Sequence, residues 1–94
     1  MLFRSIGLIG ALEELQVSKE RELGFRSACQ QGSTGVLVGY GQHFSREEGK
    51  KVLEGWIAKG KLPDAVVTMS YTLLEGVLDV MLEKPELIDR KSVV

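Results

Sequence analysis

Apolar and polar positions follow one another along the chain in blocks that predict strands and helices in turn. Short apolar runs, rich in β-branched residues, occur at 3–9, 36–40 and 65–69. Runs of this kind are typical of strands covered on both faces, as in a parallel sheet. Apolar residues at helical spacing lie between the runs. The pattern therefore predicts the order β-α-β-α-β-α, with 92–94 as the first half of a fourth strand.

Each predicted helix has a start signal. Ser18 is the predicted N-cap of a first helix that runs to about residue 31. Ser45 and Glu48 form the pattern of a capping box at the start of a second helix, which is predicted to end at Gly60. Ser70 offers a hydroxyl at the junction between the third strand and the third helix, and Pro85 is expected to end that helix.

The apolar positions also predict which face of each helix is buried, because residues three and four apart share a face. The predicted inward residues are Gly24, Phe25, Ala28 and Cys29 in the first helix; Val52, Leu53, Trp56 and Ile57 in the second; and Leu73, Leu74, Val77, Leu78, Met81 and Leu82 in the third.

Strict alternation with short loops implies a parallel sheet with right-handed crossovers, and so an α/β fold with helices on both faces. With 94 residues the chain makes one domain at most. Its net charge of −1, with scattered Lys and Arg, lacks the basic footprint of a DNA-binding domain. No apolar stretch is long enough to span a membrane or to resemble a secretory signal, so we expect a cytoplasmic location. The single Cys29 excludes an internal disulfide.

Candidate chemistry lies where the strands end. Ligands of open parallel sheets bind outside the carboxyl ends of the strands. Here each strand leads into a helix N-terminus, whose unpaired N–H groups and dipole favour an anion. Arg21 is expected to share the inward face of the first helix and to lie in its first turn, where a cation opposes the dipole. A negative ligand would offset that cost; the alternative is an Arg on the surface or paired with Glu14 or Glu20.

Other candidates each have a structural alternative. Ser70 is foremost an N-cap that could also contact a ligand, and Phe44 is either a hydrophobic staple or a surface on which a sugar ring stacks. His43 is the only histidine, so we expect a solvated loop residue and no zinc site. Trp56 and Cys29 are expected in the core. No catalytic arrangement and no dinucleotide fingerprint are visible, so we expect neither an enzyme nor a cofactor.

Three segments together resemble the effector-binding core of the LacI/GalR-type transcription regulators, and most of all its fructose-repressor branch. They are IGLIGALEELQVSKERELGFRSA at 6–28, HFSREEGKKVLEGWI at 43–57 and LPDAVVTMSYTLLEGVLDVML at 62–82. Each motif alone is loose, but their order and spacing are fairly specific. The resemblance implies a periplasmic-binding-protein-like, Rossmann-like subdomain with three α/β/α layers, incomplete in this chain.

The resemblance also implies a site. Arg21 falls on the family's effector-binding arginine, Ser70 on a polar effector contact, and Phe44 on a loop aromatic that lines the sugar site. Tyr71 replaces an aspartate that usually follows the polar contact. The implied effector is a phosphorylated sugar, with fructose 1-phosphate as the leading candidate.

We therefore expect residues 1–94 to be part of the effector-binding subdomain of a sugar-responsive repressor, binding its sugar phosphate weakly. DNA contact would require the family's helix-turn-helix, which is not recognisable in this sequence. Two alternatives remain: a fragment that only dimerises, since the family dimerises partly through this subdomain, and a periplasmic-type sugar-binding protein.

Overall fold

The computed structural model describes residues 5–31, 35–84 and 92–93. Strands and helices alternate as predicted, in the order β1 (Ser5–Ala11), α1 (Gln16–Gln31), β2 (Gly35–Gly41), α2 (Arg46–Ala58), β3 (Ala65–Thr68), α3 (Tyr71–Glu83) and β4 (Ser92–Val93). The strands form one parallel sheet in the order β2-β1-β3-β4. The predicted fourth strand is confirmed at Ser92–Val93, and Val94 lies outside the described residues.

The helices occupy both faces of the sheet. Trp56 of α2 lies over Gly7 of β1 and over Gly39 of β2, whereas Tyr40 lies over Gly10 on the opposite face. Successive strand residues point to opposite faces, so these contacts assign α2 to one side. The hydroxyl of Tyr40 contacts α1, which places α1 on the other side. Because α3 packs along α2, the described helices form two layers around the sheet, with α1 on one face and α2 and α3 together on the other.

The main core lies between the sheet and the α2–α3 layer, because that layer supplies two apolar helix faces. It is built from Ile9, Ala11, Leu53, Trp56, Val66, Leu73, Val77, Val80 and Met81. The burial expected of Trp56 is confirmed, and so is that of Cys29, which is buried on α1.

Helices α2 and α3 approach each other at two glycines. A Cβ added at Gly76 would stand against the carbonyl oxygen of Arg46 and 2.6 Å from the backbone nitrogen of Lys50. A Cβ added at Gly49 would meet the backbone of Leu73, 2.9 Å from its carbonyl carbon. The crossing is therefore too close for a side chain on either helix. Ion pairs flank it, from Arg46 to Asp79 at 2.5 Å and from Lys50 to Glu83 at 2.9 Å.

The first helix differs from its prediction. It begins at Gln16, so Ser18 is its third residue and not its N-cap. The Ser18 side chain is fully buried, and its hydroxyl donates to the carbonyl oxygen of Ala11 at 3.0 Å. This anchor sets the inward face to positions 18, 22, 25 and 29, one helical row. The predicted inward residues Gly24 and Ala28 are exposed, because they lie beside that row and not in it.

The third helix is rotated relative to its prediction. Its buried residues are Leu73, Gly76, Val77, Val80 and Met81, whereas Leu78 and Leu82 are exposed. The close approach at the glycine turns that side of α3 toward α2, and the outer leucines then point to solvent. The helix ends at Glu83; Pro85, predicted to end it, lies outside the described residues.

Strand ends and loops shift by a few residues. The first strand was predicted over 3–9; Phe3 and Arg4 lie outside the described residues, and the strand continues through Gly10 to Ala11. The loop expected from residue 10 is therefore shorter. At the start of α2, half of the capping box forms: the Ser45 hydroxyl accepts from the Glu48 N–H at 3.2 Å. The Glu48 carboxylate instead accepts from the N–H of Gln42 at 2.6 Å, which holds the pKa of Glu48 below its usual range.

Candidate functional site

The three long strands end at one edge of the sheet, at Ala11, Gly41 and Thr68. Because the strands are parallel, the loops that follow them lie side by side and lead into α1, α2 and α3. Leu12, directly after β1, has a positive φ of 54°. Its N–H donates to the Gly41 carbonyl oxygen at 3.2 Å, so the first two loops are joined at this edge. A leucine in the left-handed region carries backbone strain of about 1 kcal/mol or more.

Arg21 reaches this edge from α1. Its Nη1 donates to the carbonyl oxygen of Met69, at the junction between β3 and α3, at 2.9 Å. The side chain is exposed, and since α1 begins at Gln16 the residue lies in the second turn. The predictions that Arg21 lies in the first turn and on the inward face are therefore wrong. Its guanidinium carries several donors, so donors besides the one on Met69 can serve an anion.

Ser70 is the N-cap of α3, as predicted. Its hydroxyl oxygen accepts from the N–H of Leu73 at 3.3 Å and lies 3.0 Å from the hydroxyl of Thr72. It follows directly on Met69, whose carbonyl Arg21 holds. The structure therefore brings Arg21 and Ser70 to neighbouring peptide units at the end of β3.

Phe44 lies in the loop before α2, half-buried and packed against the main core. This contact agrees with the staple reading of Phe44 and leaves part of the ring at the edge. The Phe44 carbonyl oxygen accepts from the Thr72 hydroxyl at 2.9 Å, which ties this loop to the start of α3. His43, one residue before, is exposed, as expected of a loop histidine.

Tyr71 is 86% exposed at the first position of α3. With Ser70 it lines a pocket of about 280 Å³, together with Thr68, Met69 and Leu74. Two of the four predicted site residues thus share this pocket. Arg21 borders it through its bond to Met69, and Phe44, which does not line the pocket, is joined to the start of α3 by the bond from Thr72.

Beside Arg21, α1 carries a network of hydrogen-bonded side chains that ties the helix to the sheet. The Glu22 carboxylate accepts from Arg26 at 2.7 Å and from the Tyr40 hydroxyl at 2.7 Å. The bond from Arg26, and then that from Tyr40, lowers the pKa of Glu22. Burial, followed by the hydrogen bond to Glu22, raises the pKa of Tyr40 to about 12. Glu22 is therefore ionised at neutral pH, and its bond from Tyr40 of β2 ties α1, the helix that presents Arg21, to the sheet.

Two groups at this edge could not be predicted from the sequence: the Thr72 hydroxyl and the Met69 carbonyl. Thr72 is a polar residue in the first turn of a helix, and nothing in the sequence indicates that its hydroxyl crosses to another loop. The Met69 carbonyl is backbone, which the sequence does not mark.

Within the described residues, no three His, Cys, Asp or Glu side chains are grouped so that they could hold a metal ion. No described helix is long and apolar enough to cross a membrane.

Comparison with curated proteins finds close relatives. The chain is 59% identical over 86 residues to the fructose operon regulatory protein of Vibrio cholerae, covering 92% of this chain and 26% of the relative. It is 40% identical over 76 residues to the catabolite repressor/activator of Escherichia coli, covering 81% of this chain and 23% of the relative. The chain thus spans about a quarter of the relatives' length. No family model matches the chain.

Comparison with solved structures confirms the fold. The Cra transcriptional dual regulator of Pseudomonas putida, whose crystal structure is a complex with fructose 1-phosphate, superposes with a TM-score of 0.83 and 43% identity. The match covers 97% of this chain and 33% of the regulator. The predicted α/β class is therefore confirmed. These relatives are transcription regulators and not enzymes, in agreement with the expected lack of catalysis.

Proposed function

We propose that residues 1–94 are part of an effector-binding subdomain that senses a phosphorylated sugar. The chain is homologous to one segment of the LacI-type fructose regulators, and the proposal starts from that homology. The observation that carries the proposal is the hydrogen bond from Arg21 to Met69, which brings a guanidinium to the strand edge beside the Ser70 cap. The related regulator from Pseudomonas putida is described in complex with fructose 1-phosphate. That compound is therefore the first candidate effector.

The chemistry of the edge suits such a ligand. A phosphate group needs a cation and N–H donors, which Arg21 and the helix N-termini supply. A sugar ring needs hydrogen-bonding groups and a flat apolar surface. The Ser70 hydroxyl and the rings of Phe44 and Tyr71 are available for these contacts. We place this sensing in the cytoplasm, where a sugar phosphate would be met.

The proposal predicts that fructose 1-phosphate stabilises the folded chain. A ligand that binds only the folded state adds about 1.4 kcal/mol to the free energy of unfolding at ten times its Kd. Urea unfolding followed by circular dichroism measures this gain, at about 10 mM fructose 1-phosphate for a Kd on the order of 1 mM. Fructose and inorganic phosphate serve as controls. Stabilisation by fructose 1-phosphate no greater than that by phosphate alone would refute a sugar-phosphate site.

We also propose that the chain forms a homodimer, because α3 presents an apolar row to solvent. Leu74, Leu78 and Leu82 lie along its outer face, and Leu78 and Leu82 are 44% and 73% exposed. Contiguous apolar surface of this kind marks an interaction site. A solute-binding role has no comparable support, since the relatives named above are regulators.

The dimer is tested by sedimentation equilibrium of the wild type and two charge variants. Leu82→Glu should shift the chain to monomer, because it places a carboxylate within the apolar row. Leu23→Glu on α1 is the matched control, since Leu23 is 69% exposed and lies on the other face of the sheet; it should leave the dimer intact. A wild type that stays monomeric at all concentrations contradicts the proposal.

A further inference from the structure

The hydroxyl groups at the start of α3 form a directed chain. A carbonyl oxygen only accepts, so Thr72 must use its single proton on the Phe44 carbonyl, 2.9 Å away. The Ser70 hydroxyl, 3.0 Å from Thr72, must then be the donor in that pair. The other bond of the Ser70 hydroxyl is the one that its oxygen accepts from the Leu73 N–H. The proton order therefore runs from Ser70 to Thr72 to Phe44.

This order limits what Ser70 can do toward a ligand. Its only proton is engaged by Thr72, and one of its two lone pairs is engaged by Leu73. It can therefore offer a ligand only one lone pair. A lone pair accepts from a sugar hydroxyl and repels the oxygens of a phosphate dianion. The phosphate is left to Arg21, whose guanidinium reaches the Met69 carbonyl at the same junction.

The same chain fixes the position of Phe44. Further along, α2 and α3 are locked by the glycine crossing and by the ion pairs of Arg46 with Asp79 and of Lys50 with Glu83. The bond from Thr72 of α3 adds a further contact, to the Phe44 carbonyl in the loop that precedes α2 at the sheet edge. The Phe44 backbone is thereby tied to the helix pair that also carries Ser70.

We propose that Thr72 is a positioning residue of this edge: its hydroxyl holds the Phe44 loop against the start of α3 and orients the Ser70 hydroxyl as an acceptor for a sugar hydroxyl. The inference rests on the proposed function, because it assigns parts of that same site. Thr72 itself acts through its neighbours and need not touch the ligand.

Two variants of Thr72 test the role in the 94-residue chain. Thr72→Val keeps the shape and removes the hydroxyl, whereas Thr72→Ser keeps the hydroxyl. NMR titration of the ¹⁵N-labelled chain with fructose 1-phosphate gives each affinity. Losing the orienting bonds should weaken binding about tenfold in Thr72→Val, whereas Thr72→Ser should stay within about twofold of the wild type. The backbone amide of Ser45, which follows the Phe44 carbonyl, should shift in the valine variant alone.

The outcomes separate this inference from the proposed function. Wild-type binding that the valine variant matches, with an unmoved Ser45 amide, overturns the role of Thr72 and leaves the sugar-phosphate site standing. Absence of binding by the wild type overturns both. A loss that serine does not rescue also overturns the inference, because it shows that the methyl group and not the hydroxyl carries the effect.

Discussion

Replacing Gly76 with alanine is expected to lower the free energy of unfolding by about 3 kcal/mol, at the upper end of the usual cost of overpacking. The added Cβ would stand against the Arg46 carbonyl oxygen and 2.6 Å from the Lys50 nitrogen. Both obstacles are backbone, so relief requires α2 and α3 to separate. Separation would loosen the core beneath them, where Leu73 and Val77 are fully buried.

The matched control is Gly55→Ala, because Gly55 is also a helical glycine but a Cβ there meets nothing within 4 Å. Alanine is preferred to glycine in helices by about 0.8–1 kcal/mol, so this variant should be more stable than the wild type. Urea unfolding monitored by circular dichroism measures both changes. An unfolded Gly76→Ala chain would support the close crossing of α2 and α3. A stability gain equal to that of Gly55→Ala would show that the helices do not cross as closely as described.

Replacing Arg21 with alanine is expected to weaken the binding of fructose 1-phosphate by about 10- to 100-fold, since a hydrogen bond to a charged group contributes about 1.5–3 kcal/mol. The side chain is exposed and holds only the Met69 carbonyl in the structure described. Its removal should therefore change the unfolding midpoint little. This separation of affinity from stability distinguishes a ligand contact from a structural one.

Arg26→Ala is the control for Arg21→Ala, because it removes the same group from the same helix. Arg26 pairs with Glu22 at 2.7 Å and is not bonded to the β3–α3 junction, and without Arg26 the Tyr40 hydroxyl still bonds Glu22 and holds α1 on the sheet. We expect it to retain the wild-type affinity, measured by isothermal titration or NMR. Equal losses in the two variants would indicate a nonspecific charge effect, and an unchanged affinity in Arg21→Ala would remove Arg21 from the site.

The order of elements and the helix caps at Ser45 and Ser70 could be predicted from the sequence because they depend on local pattern. β-branched runs mark strands, and a hydroxyl before an apolar helix marks a cap. Ser18 gave the same local signal and misled, because a tertiary bond to the Ala11 carbonyl uses its hydroxyl inside the helix. A cap residue and an anchoring residue have the same chemistry, and only the fold tells them apart.

The orientation of α3 could not be predicted for a related reason. The spacing of the leucines at 74, 78 and 82 predicts a buried stripe. The side of α3 that meets α2 is instead set by Gly76, and a glycine adds nothing to an apolar pattern. The sequence marks Arg21 as a candidate, but the expected place in the first turn of α1 is wrong because the helix begins at Gln16. Its bond to Met69 spans 48 residues of sequence and ends on backbone, so no spacing rule reveals it.

We propose that a sugar phosphate binds at the carboxyl edge of the sheet, between Arg21 and the start of α3. The most direct test is to titrate the ¹⁵N-labelled chain with fructose 1-phosphate and to map which backbone amides shift. We predict saturable shifts concentrated at residues 42–45 and 69–73 and around residue 21, larger than those caused by inorganic phosphate. Shifts confined to other surfaces, or none at all while the chain remains folded, would contradict it.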